Sequence, residues 1–401
     1  MSETAGKHKY TFITVIFESL GTLIVSLALT RFLYPEIRGQ YSTIIASIFL
    51  ISFLGNSVHN RAIYFRGSER EINFLKTVCT SLIISSSIFS LVGSFLFYKV
   101  GDYSKIHVGI ILSGSLGVSI YSFIGATYST QNSHKKLLNF SKTAFLIQIT
   151  NAALVLLFKN QILALLFFLL SLWIPICLTI WSIYNRFGKS ISIITIPSFD
   201  FIKTNFLPRF LSLPVYISIF DSLKVDILLC NYYLGFEMTG NYVVATTLSV
   251  SLLFLYRFLF LSNLNKTKFG LKNAQKNRSR NILFIFFISA IAFGLFFAYF
   301  LPFIFEFIFP KGYKVDRLDF ILIWLGNMFY WGRRLVGDIY MKLGIDKWVG
   351  ISEIVGALLF VILLKLNAPR NLYEFSVTYL ISLFCAFTTL FVACRQKLKS
   401  S

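Results

Sequence analysis

The chain has 401 residues, 56% of them hydrophobic and only 14% charged, with 38 Lys and Arg against 17 Asp and Glu for a formal net charge of +21. A water-soluble protein of that length would lack the polar surface to cover itself, so the composition excludes a soluble globular fold and places the chain in a membrane. Five cysteines and four histidines show no disulfide or zinc spacing, and the basic excess does not gather into the single patch that binding to nucleic acid requires.

Apolar stretches long enough to cross about 30 Å of hydrocarbon recur from Thr11 to the C-terminus. Twelve spans are predicted, over residues 11–34, 40–60, 75–98, 106–129, 141–158, 162–185, 206–234, 239–262, 282–309, 318–342, 348–366 and 372–394. The expected division is a six-helix bundle over 1–200 and a second over 201–401. "MSETAGKHKY" is followed by an apolar run without a small-residue cleavage site, so that run reads as a retained span. Counting span ends with their flanks, 24 Lys and Arg fall on one set of alternate segments and 10 on the other, which puts both termini in the cytoplasm. "GKS" at 188–190 resembles the end of a phosphate loop, but position 183 is Ile where that loop needs Gly, so nucleotide hydrolysis is excluded. The sequons at Asn139, Asn265 and Asn277 fall on segments expected to be cytoplasmic.

Span one carries Thr11, Thr14, Glu18, Gly21 and Thr22 at three- and four-residue spacing, a polar stripe expected to line the space between the halves. Glu18 is a candidate proton or cation site as well as an ordinary hydrogen-bonded residue. Arg31, at the outer end of this span, stands where it meets a passing phosphate or a lipid headgroup. Next comes "LYPEIRGQY" at 33–41, which aligns with "LGFEMTGNY" at 234–242 at an offset of 201, matching Leu, Glu, Gly and Tyr. Six spans separate the two segments, and an even number returns the chain to the same side, so the halves read as parallel repeats. Gly39 and Gly240 are expected to supply backbone freedom at the turns, and Tyr41 and Tyr242 to anchor at the interface. Span four, "SGSLGVSIYSFIGATYS", is rich in small residues and is the expected sugar-accommodating wall.

Span seven carries Asp221, Lys224 and Asp226 near mid-membrane, after Pro208 and Pro214, which can bend the helix. Asp221 and Lys224 lie about 60° apart on one face and Asp226 about 160° from Lys224, so Asp226 needs another partner. Arg257 is expected to snorkel from span eight. Span ten carries Arg333, Arg334 and Asp338. Arg334 and Asp338 are four apart and expected to pair, leaving Arg333, on a stripe with Gly326 and Gly337, less neutralised. A lipid-facing charge costs about 2.5–3.5 kcal/mol, too much for several at once in a fold with about 5–15 kcal/mol of net stability; these side chains must face a cavity or one another. Arg suits a diphosphate through its planar, permanently charged fork, so Arg333 with Lys224 is the leading cation pair, followed by Arg334 and Arg31. Asp221, Asp226 and Glu18 are the candidate sites for a coupling ion. Most of the 45 Phe face lipid or pack; Trp331, seven residues from Trp324 and beside the arginines, is the candidate sugar platform.

With "RGQY" opening span two, "KVDILLCNYYLG" through "TGNYVVA" joining spans seven and eight, and "FIFPKGY" closing span nine, the sequence resembles the polysaccharide-lipid flippases of the multidrug/oligosaccharidyl-lipid/polysaccharide (MOP) superfamily, specifically O-antigen repeat-unit translocases. The resemblance covers essentially the whole chain. It implies an all-α polytopic protein of the bacterial cytoplasmic (inner) membrane, a transporter and not an enzyme. The implied activity passes a polyprenyl-diphosphate-linked oligosaccharide to the outer leaflet by alternating access, among membrane lipids and other polysaccharide-assembly proteins. The implied needs are no cofactor beyond a coupling proton or sodium ion, and no nucleic acid. Two other readings use the same residues: a cation-coupled small-molecule antiporter of the same superfamily, and a membrane polysaccharide polymerase or ligase, which would need a long outer loop that the spans do not leave.

Overall fold

The computed structural model describes residue 21 and residues 24–66, 72–100, 103–130, 134–158, 160–187, 197–206, 224–265, 272–309, 312–340 and 346–400. Thr11, Thr14, Glu18, Thr22, Pro208, Pro214, Asp221 and Asn277's side chain lie outside the description, as do the side chains of Arg257 and Asp338. All regular structure among the described residues is helical. A helical stretch at 24–32, here α1, is followed by α2 (Pro35–Arg66), α3 (Ile72–Val100), α4 (Lys105–Thr130), α5 (His134–Phe158), α6 (Gln161–Phe187), α7 (Phe199–Asn205), α8 (Val225–Asn265), α9 (Lys272–Ile308), α10 (Arg317–Tyr340), α11 (Asp346–Asn367) and α12 (Leu372–Ser400). Seven of them, α2, α3, α4, α6, α9, α11 and α12, are long and apolar enough to cross a membrane, and the chain is a multi-pass membrane protein.

Local chemistry sets the ends. Asn160 accepts from the amides of Ile162 and Leu163 at 2.8 and 3.3 Å to cap α6. Before α12, Asn371 accepts from the Glu374 amide at 2.9 Å while Glu374 accepts from the Arg370 amide at 2.8 Å, a reciprocal capping box. α2 begins with Pro35, whose missing N–H and fixed φ suit a first helical position.

The chain forms two compact units, the first including Thr43–Leu213 and the second including both Tyr34–Ser42 and Val225–Ser401. In the first, α3 and α4 pack together, as do α5 and α6 and α4 and α6. Small residues let these backbones approach. Ser115 Oγ donates to Ser90 Oγ at 2.7 Å, and Trp173 Nε1 of α6 donates to Ser113 at 3.1 Å. Gly114 and Gly93 each leave room for a side chain of α2, Ile48 and Ile51. The short α7, capped by Ser198, sets Phe206 among Phe74, Val78, Leu82 and Phe123 of α3 and α4.

In the second unit α10 is the hub, packed against α8, α9 and α12. Its buried face mixes Phe320, Trp324 and Leu335 with Asn327 and Arg333, which is why it falls short of the apolarity of a lipid-facing span. α8 breaks at Gly235, whose φ of 76° lies in the left-handed region that glycine adopts without strain. At the offset of 201 its equivalent is Tyr34, where the chain likewise leaves helical geometry at 33–34.

The turns therefore sit five residues earlier than Gly39 and Gly240, and the expectation for those glycines is corrected. Both lie inside helices. A Cβ on Gly39 would strike the carbonyl oxygen of Phe236, and one on Gly240 would strike the carbonyl oxygen of Pro35. Pro35 and Phe236 are themselves equivalent at the offset, so the contact is reciprocal, the pattern that a local two-fold axis produces. Glycine is needed here for close approach of two backbones. Tyr41 and Tyr242 are likewise not interfacial anchors but buried, at 5% and 0% exposure. Each ring turns inward: Tyr242 donates to Asp226, and the Arg38 guanidinium lies over Tyr41.

Candidate functional site

Among the described residues, Asp226, Arg333, Arg334 and Glu353 lie in the second unit, and Arg31 and Lys224 in the first. Arg333 projects from α10 into α11 and forms an ion pair with Glu353, both side chains at most 2% exposed. Its Nη1 donates to the Val349 carbonyl and to Ser352 Oγ, each at 3.3 Å. Val349, Ser352 and Glu353 stand at i, i+3 and i+4 on α11, so one face of that helix presents all three acceptors. Tyr330, one turn back on α10, lies beneath both arginines, with ring-centroid distances of 5.5 Å to Arg333 and 5.6 Å to Arg334. Arg334 is half-buried and donates from Nε to the Tyr330 hydroxyl at 3.2 Å.

The expected Arg334–Asp338 pair involves a side chain outside the described residues, but Arg333, expected to be the less neutralised of the two arginines, does have a counter-charge. Its counter-charge comes from a neighbouring helix, which a wheel drawn on one span cannot see. Trp331 and Trp324 are corrected too: both are buried in the unit's core, and Trp324 Nε1 donates to the Ala290 carbonyl at 2.9 Å.

A second polar group threads α8, α10 and α12. Asp226, in the first turn of α8 and 3% exposed, accepts from the Tyr242 hydroxyl at 2.7 Å. The Tyr242 ring meets that of Tyr379 edge-on at 5.9 Å. Tyr379 donates to Asn327 Oδ1 at 2.8 Å, and Asn327 Nδ2 donates to Ser249 Oγ at 2.7 Å. Asp226 needed another partner and has one in Tyr242. Lys224 immediately precedes α8 with a φ of 50°, a strained conformation for a non-glycine residue, and its side chain is half-buried. Arg31 is exposed.

Glu353, Tyr330, Asn327 and Tyr379 escaped sequence reasoning, and Tyr242 was expected only as an anchor. For Glu353 a signal existed, as a carboxylate inside the apolar "WVGISEIVG" of span eleven; the hydroxyls and amide carried none. In the first unit, Ser113 and Gly117 of span four face Trp173, and Ser115 and Ser119 are buried against α3 and α2, so much of the expected sugar wall is helix packing. Among the described residues no three His, Cys, Asp or Glu side chains come together to hold a metal ion. Chemically, the arrangement offers a buried carboxylate held by a phenol, and two guanidiniums over one aromatic ring, one of them paired with a carboxylate.

No family model matches the chain, and neither does any curated protein. Solved structures do. It is similar to the lipid II flippase MurJ in an inward closed conformation, with a TM-score of 0.72 and 18% identity over 97% of this chain and 89% of that one. An inward-facing multidrug resistance MATE transporter of the MOP superfamily matches at 0.63 and 16% over 95% and 94%. A third, the MATE transporter VcmN of Vibrio cholerae, matches at 0.55 and 11% over 100% and 99%. These likenesses establish the all-helical architecture as that of MATE transporters and MurJ, which are transporters and a flippase.

Proposed function

We propose that the chain moves a lipid-diphosphate-linked oligosaccharide, an O-antigen or related polysaccharide repeat unit, from the cytoplasmic to the outer leaflet of a bacterial inner membrane by alternating access. The observation that carries this reading is a fold shared along nearly its whole length with a lipid II flippase. Two guanidiniums share the face of Tyr330, a donor set of the kind that suits an anionic head group. Arg334 and Lys224, both half-buried, are the candidate cations for the diphosphate, and Arg31 is a further candidate. Arg333 serves by locking α10 to α11. Asp226, in its hydrogen bond with Tyr242, is the candidate site for a coupling proton or sodium ion.

Deleting the gene and assaying the orientation of lipid-linked sugar across the membrane tests this directly, with Arg334→Ala and Lys224→Ala supplied in its place. Each variant, at matched protein level, should deliver surface glycan at least about tenfold more slowly, the equivalent of 1.4 kcal/mol lost from one charge contact. Unchanged delivery by both would remove the anion-binding assignment. A cation-coupled small-molecule antiporter is the second reading, favoured by the MATE likenesses and by the buried Asp226; efflux of a small organic cation that stops in Asp226→Asn while glycan delivery continues would establish it instead.

A further inference from the structure

Near its C-terminal end α9 carries Pro302 inside the helix, where a ring stands in place of an N–H and pushes against the preceding turn, so the helix surface is interrupted there. Beside it lies a cavity of about 400 Å³, lined among the described residues by Tyr299, Phe300, Pro302 and Phe303 of α9 and by Arg317, the first residue of α10. That volume lies within the range of small-molecule sites. An aromatic track leads to it. Phe293, Phe296, Phe300 and Phe303 are all exposed and stand at i, i+3, i+7 and i+10, one stripe of the helix about 15 Å long. The Phe296 and Phe300 rings are 4.7 Å apart, and Tyr299 meets Phe300 edge-on at 5.2 Å. Another face of α9, with Ala290, Ala298 and Leu301, is buried in the unit's core.

The two ends of this surface differ in chemistry. Residues Leu283–Phe303 form a stretch long and apolar enough to cross a membrane, so the exposed phenylalanine stripe meets acyl chains. The cavity stands at the end of that stretch, where hydrocarbon gives way to headgroups. Arg317 lies beyond it, is exposed, and has no ion pair among the described residues, its sequence neighbours Asp316 and Asp319 included. A guanidinium there keeps its charge and offers a planar fork that suits a phosphate. Apolar rings below and a cation above match an anionic amphiphile. Apart from the Tyr299 hydroxyl the lining has no neutral hydrogen-bonding side chain, which does not suit an oligosaccharide, whereas phospholipids of the bilayer reach the stripe directly.

We propose that this cavity holds one anionic phospholipid of the surrounding bilayer, its phosphate on Arg317 and one acyl chain along the stripe from Phe303 to Phe293. The site rests on the chain's place in a membrane and not on what it transports. The test titrates the full-length protein in detergent with dioleoyl phosphatidylglycerol and counts the complexes by native mass spectrometry. Arg317→Gln should weaken binding of the first lipid at least about tenfold, the equivalent of 1.4 kcal/mol, and Phe300→Ala at least about threefold. Arg370→Gln, which removes another exposed arginine of the same unit, should stay within about twofold. Dioleoylglycerol, which lacks the phosphate, should bind at least about tenfold more weakly, and inorganic phosphate should not displace the phospholipid, because each supplies only half of the ligand. Unchanged binding by Arg317→Gln, an equal loss in Arg370→Gln, or displacement by inorganic phosphate would overturn the site. So would a lipid-free dimer, in which a second copy covers the stripe. Should Arg317→Gln fail to fold, the unaltered protein decides: a phosphatidylglycerol with a diazirine in one acyl chain should label a peptide within residues 293–317, and labelling confined to other segments overturns the proposal.

Discussion

Arg333 illustrates what a guanidinium buried among helices requires. At 1% exposure it has a carboxylate, a carbonyl, a hydroxyl and an aromatic face around it, each replacing part of the water it gave up. Removing one partner strands the other charge in a low-dielectric interior, which costs about 3–5 kcal/mol, whereas replacing both by apolar side chains of similar volume is often neutral. Arg333→Gln and Glu353→Gln should each lower the stability of the detergent-purified protein by that amount, and Arg333→Met with Glu353→Leu should recover most of the loss. Denaturant unfolding of the four proteins measures the coupling, and simple additivity would show that the two residues do not act as a pair. The Asp226–Tyr242 bond predicts a smaller effect. Tyr242→Phe keeps the ring packing and removes the hydroxyl, a loss of about 1.5–3 kcal/mol for a hydrogen bond to a charged group; an unchanged midpoint would mean that Asp226 is not ionised when it accepts.

At the scale of elements, the glycine crossing yields a sharper prediction than any propensity. An added methyl at Gly39 or Gly240 meets a backbone carbonyl, not the end of a flexible side chain, so the helices themselves must separate. Gly39→Ala and Gly240→Ala should each destabilise by about 1–3 kcal/mol, as overpacking does. Gly125, inside α4 with nothing within 4 Å of its Cβ position, is the control: its alanine variant should be neutral or more stable by up to about 1 kcal/mol. Thermal unfolding of all three decides it, and a stabilised Gly39→Ala would contradict the crossing. The repeat that places these glycines was legible because a duplicated turn leaves matching letters at a fixed offset. Helix order and most boundaries were legible for a similar reason, since apolar length and the charges between spans are local properties; the predicted 348–366 and 318–342 fall within a few residues of α11 and α10. What escaped was everything that depends on packing beyond the local face: Glu353 on the helix opposite Arg333, Tyr242 brought to Asp226 across the break at Gly235, and the inward facing of Tyr41. Helical spacing reports which residues share a face and is silent about what that face meets.

For the whole molecule, the remaining question is which side each face of the bundle occupies, and the answer lies in charge. Twenty-four Lys and Arg against ten separate the two sets of alternate segments, with six on the stretch between spans eight and nine alone. Such a bias orients a multi-pass chain because basic loops resist translocation, whereas acidic ones contribute little. Along the chain, Lys272 opens α9 on the basic segment, and Gly312–Val315 lies between α9 and α10. A cysteine at Gln275 should therefore resist a membrane-impermeant thiol reagent in sealed cells and react once the cells are opened. One at Lys314, an exposed position one span away, should react from outside without opening. The pair is more telling than either site alone, since a buried or misfolded segment protects Gln275 but does not expose Lys314. Reaction at Gln275 in sealed cells, with protection at Lys314, would invert the molecule and reverse the direction in which cargo leaves.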